Sequence, residues 1–233
     1  MSENLISQYI TNDKLNSLKR KNSSDEFYVS KKIKTKKNEA KIIVLTGTIA
    51  VGKTTFKKEL IRYFEDNGKK VFSSEETSLM MKEELKIFYK DIKSQALFFE
   101  SKIIDYYAKI IEYVRYIKNA YDYIIFDRTH LDTEIFSILN IFDLELLSYL
   151  KDKREEINFN LEDVYKVIYL KPSFENMIKR QRKRNRDNET CTEEYLKDLY
   201  NLYENMIFQI YPNHVTYENN CDVSEYHTYF KNI

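Results

Sequence analysis

A chain of 233 residues with a formal net charge of +1 is long enough for one α/β domain with a sizeable core, and it offers no overall electrostatic case for binding nucleic acid or a membrane surface. Cys191 and Cys221 show neither metal-ligand spacing nor a disulfide framework, which suits a reducing compartment. No segment stays apolar long enough to span a bilayer, and the first residues lack a basic region followed by an apolar core, so a soluble intracellular protein is expected.

Residues 1–40 are polar, rich in Lys, Ser and Asn, and without helical or strand period, which predicts a flexible basic tail ahead of a domain spanning 41–233. Two clusters in the tail, Lys19–Lys21 and Lys31–Lys37, have the composition of nuclear-import signals or nucleic-acid patches, and equally that of a solvated tail. The apolar run KIIVLT then predicts a buried strand, and it leads into Gly47, four residues, Gly52, Lys53 and Thr54, the spacing of a P-loop. Glycines there let the backbone turn tightly, so that successive N–H groups converge on phosphate oxygens at a helix start. Lys53 is placed to reach the outer phosphates, and the Thr54 hydroxyl to ligate Mg²⁺. Phe56, Leu60, Ile61 and Phe64 continue as a helix that closes at Gly68.

KVFSSEETS reads as a short strand ending in two carboxylates, Glu75 and Glu76, beside the P-loop, where ligands collect in open parallel sheets. From Gln95 to Ile117 apolar residues recur at helical spacing. YDYIIFDRT predicts a second buried strand, whose last residues, Asp127, Arg128 and Thr129, could reach the Mg²⁺ shell and a transferring phosphoryl group. A further strand, Val164–Leu170, enters a helix carrying Arg180, Arg182, Arg184 and Arg186, followed by Glu189 and an amphipathic helix from Glu193. Arginines folding over bound phosphates suit phosphoryl transfer, whose transition state spreads negative charge over oxygens.

These segments together resemble the deoxynucleoside kinases, over about Lys41 to Phe230. GTIAVGKTTF is similar to the family's P-loop, FYKDIKSQALFFE to its aromatic segment and helix start, FDRT to its Glu-Arg-Ser strand end, and KRQRKRNRDNE to its arginine-rich lid. The resemblance implies a P-loop kinase fold, a parallel sheet flanked by helices, and transfer of the ATP γ-phosphate to a deoxynucleoside 5′-hydroxyl in DNA-precursor salvage. Glu75 then resembles the general base, with Glu76 as the alternative. Arg128 and Lys53 resemble the residues that stabilise the phosphoryl group, and Thr54 and Asp127 those associated with Mg²⁺. ATP would lie on Gly47, Thr48, Ala50, Gly52, Lys53, Thr54 and Thr55, under Arg180, Arg184 and Arg186, with Asn220–Val223, including Asp222, along the adenine. Tyr89 and Glu189 would hold the sugar 3′-hydroxyl.

At the base, the family's Gln is replaced by Glu100, and positions that carry Arg and Asp in the cytidine-type enzymes are Tyr107 and Thr133. An ionised carboxylate only accepts hydrogen bonds, so it suits the adjacent N1–H and N2–H₂ of guanine, with thymidine or another pyrimidine next. A protonated Glu100 regains a donor and loses that preference. The alternatives are a nucleoside monophosphate kinase, which needs extra cations near the acceptor, and a nucleotide-dependent switch protein. The resemblance also implies homodimers packed through the 95–117 helix, where Tyr106 and Tyr113 flank the core stripe; internal packing suits them equally.

Overall fold

The computed structural model describes residues 39–184, 191–220 and 223–233. Residues 1–38 of the expected tail, with its basic clusters, and Arg186, Glu189, Cys221 and Asp222 lie outside these residues. Strands β1 (Lys41–Thr46), β2 (Val71–Ser73), β3 (Tyr123–Asp127), β4 (Val164–Leu170) and β5 (Val215–Tyr217) form one five-stranded sheet in the order β2-β3-β1-β4-β5, with every pairing parallel. The helices are α1 (Lys53–Asp66), α2 (Thr77–Met80), α3 (Lys82–Lys90), α4 (Ile92–Ile117), α5 (Thr133–Asn140), α6 (Leu144–Glu155), α7 (Phe174–Arg184), α8 (Glu193–Ile210) and α9 (Tyr226–Phe230).

The inner strands are continuous apolar runs because helices bury both of their faces. Alternate residues enter opposite layers. Ile43, Leu45, Ile125, Ile168 and Leu170 pack with Phe56, Leu60 and Phe64 of α1 and Phe230 of α9. Val44, Ile124, Phe126, Val167 and Tyr169 pack with Tyr107, Ile111 and Val114 of α4 and Leu199, Tyr203 and Ile207 of α8. A third cluster, with Leu85, Phe88, Phe99, Ile104 and Leu150, ties α3 and α6 to α4.

Helix α4 begins three residues earlier than its apolar period predicts, because Asp91 caps it by accepting from the Ser94 N–H at 3.2 Å. Tyr106 is buried, and the Tyr113 ring lies 5.7 Å from that of Phe72, so both serve packing within the chain. Among the described residues, no helix is long and apolar enough to cross a membrane.

Candidate active site

All five strands run the same way, so the loops at their carboxyl ends gather at one edge. There they enclose a cavity of about 640 Å³, lined by P-loop residues 49–55, Glu76, Glu100, Tyr107, Arg128 and the α7 cations, among others. One end is cationic and the other largely aromatic and apolar.

The P-loop builds the cationic end. Gly47 has φ +136°, and a Cβ there would sit 2.7 Å from the Leu170 carbonyl oxygen; Gly52, at φ +94°, caps α1 with Asn219 Nδ2 2.7 Å from the place of a Cβ. Both positions therefore require glycine. Ala50, Thr54 and Thr55 line the cavity, whereas Gly47 and Thr48 stand behind its lining, with Thr48 donating to Met177 Sδ at 3.0 Å. Lys53 is buried and donates to the carbonyls of Gly47 at 2.9 Å and Thr48 at 2.6 Å. Burial and the nearby Arg128 push its ammonium down to about 7.

Arg128 has φ +63°, a left-handed backbone uncommon for a side-chain-bearing residue. Its Nε and terminal nitrogen both donate to the Gly47 carbonyl, at 3.1 and 2.9 Å. Lys53 and Arg128 thus converge on one loop carbonyl, where an anionic ligand can replace it. Arg180 donates to the Val51 and Asn219 carbonyls at 2.9 and 2.7 Å, and Arg184 pairs with Glu76 at 3.1 Å.

The structure places the two strand-end acids differently. Glu75 is exposed and outside the lining, whereas Glu76 is buried, lines the cavity and accepts from the Thr54 hydroxyl at 3.2 Å. Past β2 the burial alternates, with Ser74 buried, Glu75 exposed and Glu76 buried, as extended backbone dictates. Asp127, expected near Mg²⁺, is buried at the end of β3. It lies beneath the lining, its carboxylate 3.4 Å from the buried Lys57 ammonium, and neither of its oxygens completes a hydrogen bond. Thr54 and Glu76 form the pair of hard oxygen donors at the phosphate end, and their chemistry fits Mg²⁺.

At the other end Leu85, Phe88, Phe99, Ile103 and Phe136 wall the cavity, with Tyr89, Tyr107, Thr133 and Tyr195. The Tyr107 hydroxyl donates to the Asp127 carbonyl at 3.1 Å and accepts from the Thr77 hydroxyl at 3.0 Å. Thr133 is turned to the His130 carbonyl, to which its hydroxyl donates. Glu100 is 1% exposed, and burial pushes its carboxyl up to about 8 against the pull of Arg154, so it is neutral at pH 7. The guanine preference expected of an ionised Glu100 therefore loses its premise.

Two residues that carry the site draw on distant partners, although the T-x-x-D spacing of Thr129 and Asp132 is a local capping-box signal. Asp132 is buried and accepts from the hydroxyls of Thr46, Tyr203 and Tyr211 and from the Thr129 N–H, the last two at 2.6 and 3.0 Å. Asn219, from the loop after β5, donates to the Val51 carbonyl at 2.6 Å and accepts from Tyr226 at 2.8 Å. Their partners are up to 168 positions away, beyond the reach of any pattern of neighbours.

A P-loop at the carboxyl edge of a β2-β3-β1-β4-β5 sheet, with an arginine-bearing helix over it, defines a P-loop kinase. The chain belongs to the deoxynucleoside kinase family, whose model matches residues 43–231. Deoxyadenosine kinase from M. mycoides is similar in structure. The form with bound dATP has 25% identity and a TM-score of 0.68, and the form with bound dCTP 26% and 0.65. A third, with dCMP and a flexible dCDP, has 23% identity and a TM-score of 0.69, and bears on the fold alone. Each comparison covers 82% of this chain and 97% of the other. No curated protein sequence matches the chain.

Proposed function

We propose that this kinase transfers the γ-phosphate of ATP to the 5′-hydroxyl of deoxyadenosine, with deoxycytidine next, in DNA-precursor salvage. The observation that carries the reading is the division of the cavity: its lining cations, Lys53, Arg128, Arg180, Lys183 and Arg184, belong to the P-loop, the β3 end and α7, while the base end is lined by aromatic residues and a neutral acid. An acceptor that already carried a phosphate would need cations at the far end, and among the described lining residues that end has none.

Glu76 is the general base, with Glu75 outside the cavity. It takes the 5′-hydroxyl proton as O5′ forms its bond to the γ-phosphorus and the bond to the β–γ bridging oxygen breaks, releasing ADP. Lys53, Arg128, Arg180 and Arg184 exchange their present oxygen partners for the phosphate oxygens. Thr54 and Glu76 would hold Mg²⁺, which when bound supplies charge neutralisation to the donor phosphates. Tyr89 is the candidate partner of the sugar hydroxyl.

A neutral Glu100 offers one donor and one acceptor. Adenine and cytosine each present an amino donor beside a ring-nitrogen acceptor, thymine an N–H beside a carbonyl and guanine its N1–H beside the O6 carbonyl, so a neutral Glu100 fits any of them and no longer singles out guanine's two adjacent donors. Within this set the choice of adenine, with cytosine next, rests on the structural relatives, named for deoxyadenosine and carrying dATP or dCTP. A homodimer would need an apolar face, and α4 offers Phe98 and Tyr116, 55% and 78% exposed; sedimentation of the wild type beside Tyr116→Lys tests it. The test of the reaction is ATP-dependent phosphorylation of the four deoxynucleosides, each beside its monophosphate. Deoxyadenosine should lead, deoxycytidine follow and the monophosphates stay unchanged. A lead by deoxyguanosine would refute the base assignment, and turnover of a monophosphate the acceptor assignment.

A further inference from the structure

The P-loop carbonyl of Val51 is held twice. Arg180 of α7 donates to it through one terminal nitrogen at 2.9 Å, and the Asn219 side-chain amide donates to it at 2.6 Å, so both lone pairs of the oxygen are engaged. Val51 and Asn219 are each 1% exposed, so the oxygen depends on protein donors. Further bonds fix the amide. The Tyr226 hydroxyl of α9 donates to Asn219 Oδ1 at 2.8 Å, which leaves the amide nitrogen facing Val51, and the Asn219 N–H donates to the Lys171 carbonyl at 3.1 Å. The second terminal nitrogen of Arg180 donates to the Asn219 carbonyl at 2.7 Å. Asn220 accepts from the Ser173 N–H at 2.7 Å and the Asn176 amide at 3.1 Å, which ties the loop after β5 to the start of α7. The two donors to Val51 approach over Gly52: Asn219 Nδ2 and an Arg180 nitrogen lie 2.7 and 3.3 Å from the place of a Cβ there. Arg180 and Tyr226 line the cavity, whereas Asn219 stands behind it and touches no ligand.

We propose that Asn219 is a positioning residue for donor-nucleotide binding: it keeps the Val51 carbonyl paired when Arg180 turns from that carbonyl to a phosphate oxygen. The inference rests on the reading of Arg180 as a phosphate ligand. A guanidinium that leaves a buried carbonyl for an anion strands that carbonyl, and a stranded buried acceptor costs about as much as a hydrogen bond contributes. Part of the attraction for phosphate would then be lost to the protein. With Asn219 in place, the Val51 oxygen has a donor before and after the exchange. A guanidinium carries several N–H donors in one plane, so Arg180 can pivot on the Asn219 carbonyl while only the nitrogen on Val51 moves. The loop after β5 thus acts on the phosphates without touching them: Tyr226 restrains Asn219, Asn219 holds the P-loop, and Arg180 is released.

The test is a double-mutant cycle on ATP affinity, measured by calorimetry without deoxynucleoside in the wild type, Arg180→Ala, Asn219→Ala and the double variant. Arg180→Ala should weaken ATP binding at least about tenfold, as loss of a charge-assisted contact requires. Asn219→Ala should weaken it about tenfold when Arg180 is present, the worth of one hydrogen bond to a buried acceptor. On the Arg180→Ala background the same change should cost less than about twofold, because no donor then leaves Val51 on binding. The affinity of Asn219→Ala for deoxyadenosine alone should match the wild type. Tyr226→Phe, which keeps the ring and removes the hydroxyl that orients the amide, should repeat the pattern with a smaller factor, and it carries the comparison if Asn219→Ala does not fold. Equal losses on the two backgrounds, or no loss on either, would overturn the proposal and leave the reading of Arg180 standing. If Arg180→Ala binds ATP as the wild type does, the reading of Arg180 fails and the proposal with it.

Discussion

The two ends of the cavity are built on opposite principles. At the phosphate end four of the lining cations have oxygen partners within the protein, Lys53 and Arg128 on loop carbonyls, Arg180 on Val51 and Asn219, Arg184 on Glu76, while Asp127 beneath the lining completes no hydrogen bond. At the base end Glu100, Asn140 and His130 keep buried polar atoms without hydrogen-bond partners, among apolar walls. A cationic ligand set can exchange carbonyl oxygens for phosphate oxygens with little rearrangement, so that end can exist preformed. The base end instead is incomplete until an edge of matching donors and acceptors arrives, and incomplete polar sites discriminate strongly against the wrong partner.

The sharpest way to break this contrast is to remove a charge from the phosphate end. Lys53→Met should lower kcat/KM by about 10²–10³ or more while deoxynucleoside binding, measured by calorimetry without ATP, changes little. Next in size is the buried carboxylate beneath both ends. Asp132→Asn faces three hydroxyls and an N–H with a group that accepts less, and should cost about 3 kcal/mol of stability in urea, whereas Asp105→Asn, in an exposed pair with Lys153, should stay within about 0.5 kcal/mol.

Glu100 sharpens the contrast through pH. Its folded-state midpoint of about 8 lies above its ordinary value of 4.5, so the folded protein binds more protons than the unfolded chain in that window, and its contribution to stability is lost as pH rises through it. The wild type should lose up to about 1.4 kcal/mol per pH unit relative to Glu100→Gln across that window, with the difference levelling off above it, as thermal denaturation at successive pH values would show. Lys53 gives the smallest signal, with the opposite sign. Its free-state midpoint near 7 leaves it largely neutral at pH 8, and a bound phosphate restores its charge. ATP binding at pH 8 should therefore take up close to one proton, read from calorimetry in buffers of different ionisation enthalpy, and Lys53→Arg should abolish the uptake.

The same contrast explains what the sequence makes legible. The phosphate end is legible because its geometry is local: Gly47, Gly52, Lys53 and Thr54 fall within one strand-to-helix turn, and the apolar runs of β1, β3 and β4 announce a sheet buried on both faces. Which of Glu75 and Glu76 faces the cavity hinges on a single step of strand alternation, which a three-residue strand followed by irregular chain leaves undetermined from sequence. The base end draws on α4, α5, α6 and α8, and Asn140 and Arg154 sit in amphipathic helices with no motif to mark them. The protonation of Glu100 is a property of burial by those distant elements, which explains why a guanine preference follows from the residue type and not from the residue in place.

The account turns on the acid at the junction of the two ends, and single-turnover phosphorylation of deoxyadenosine by Glu76→Gln beside Glu75→Gln tests it most directly, with ATP affinity measured for both. Glu76→Gln should lose about 10²–10⁴ in the chemical step while still binding ATP, and Glu75→Gln should match the wild type. Loss of the chemical step in Glu75→Gln with Glu76→Gln active would contradict the assignment.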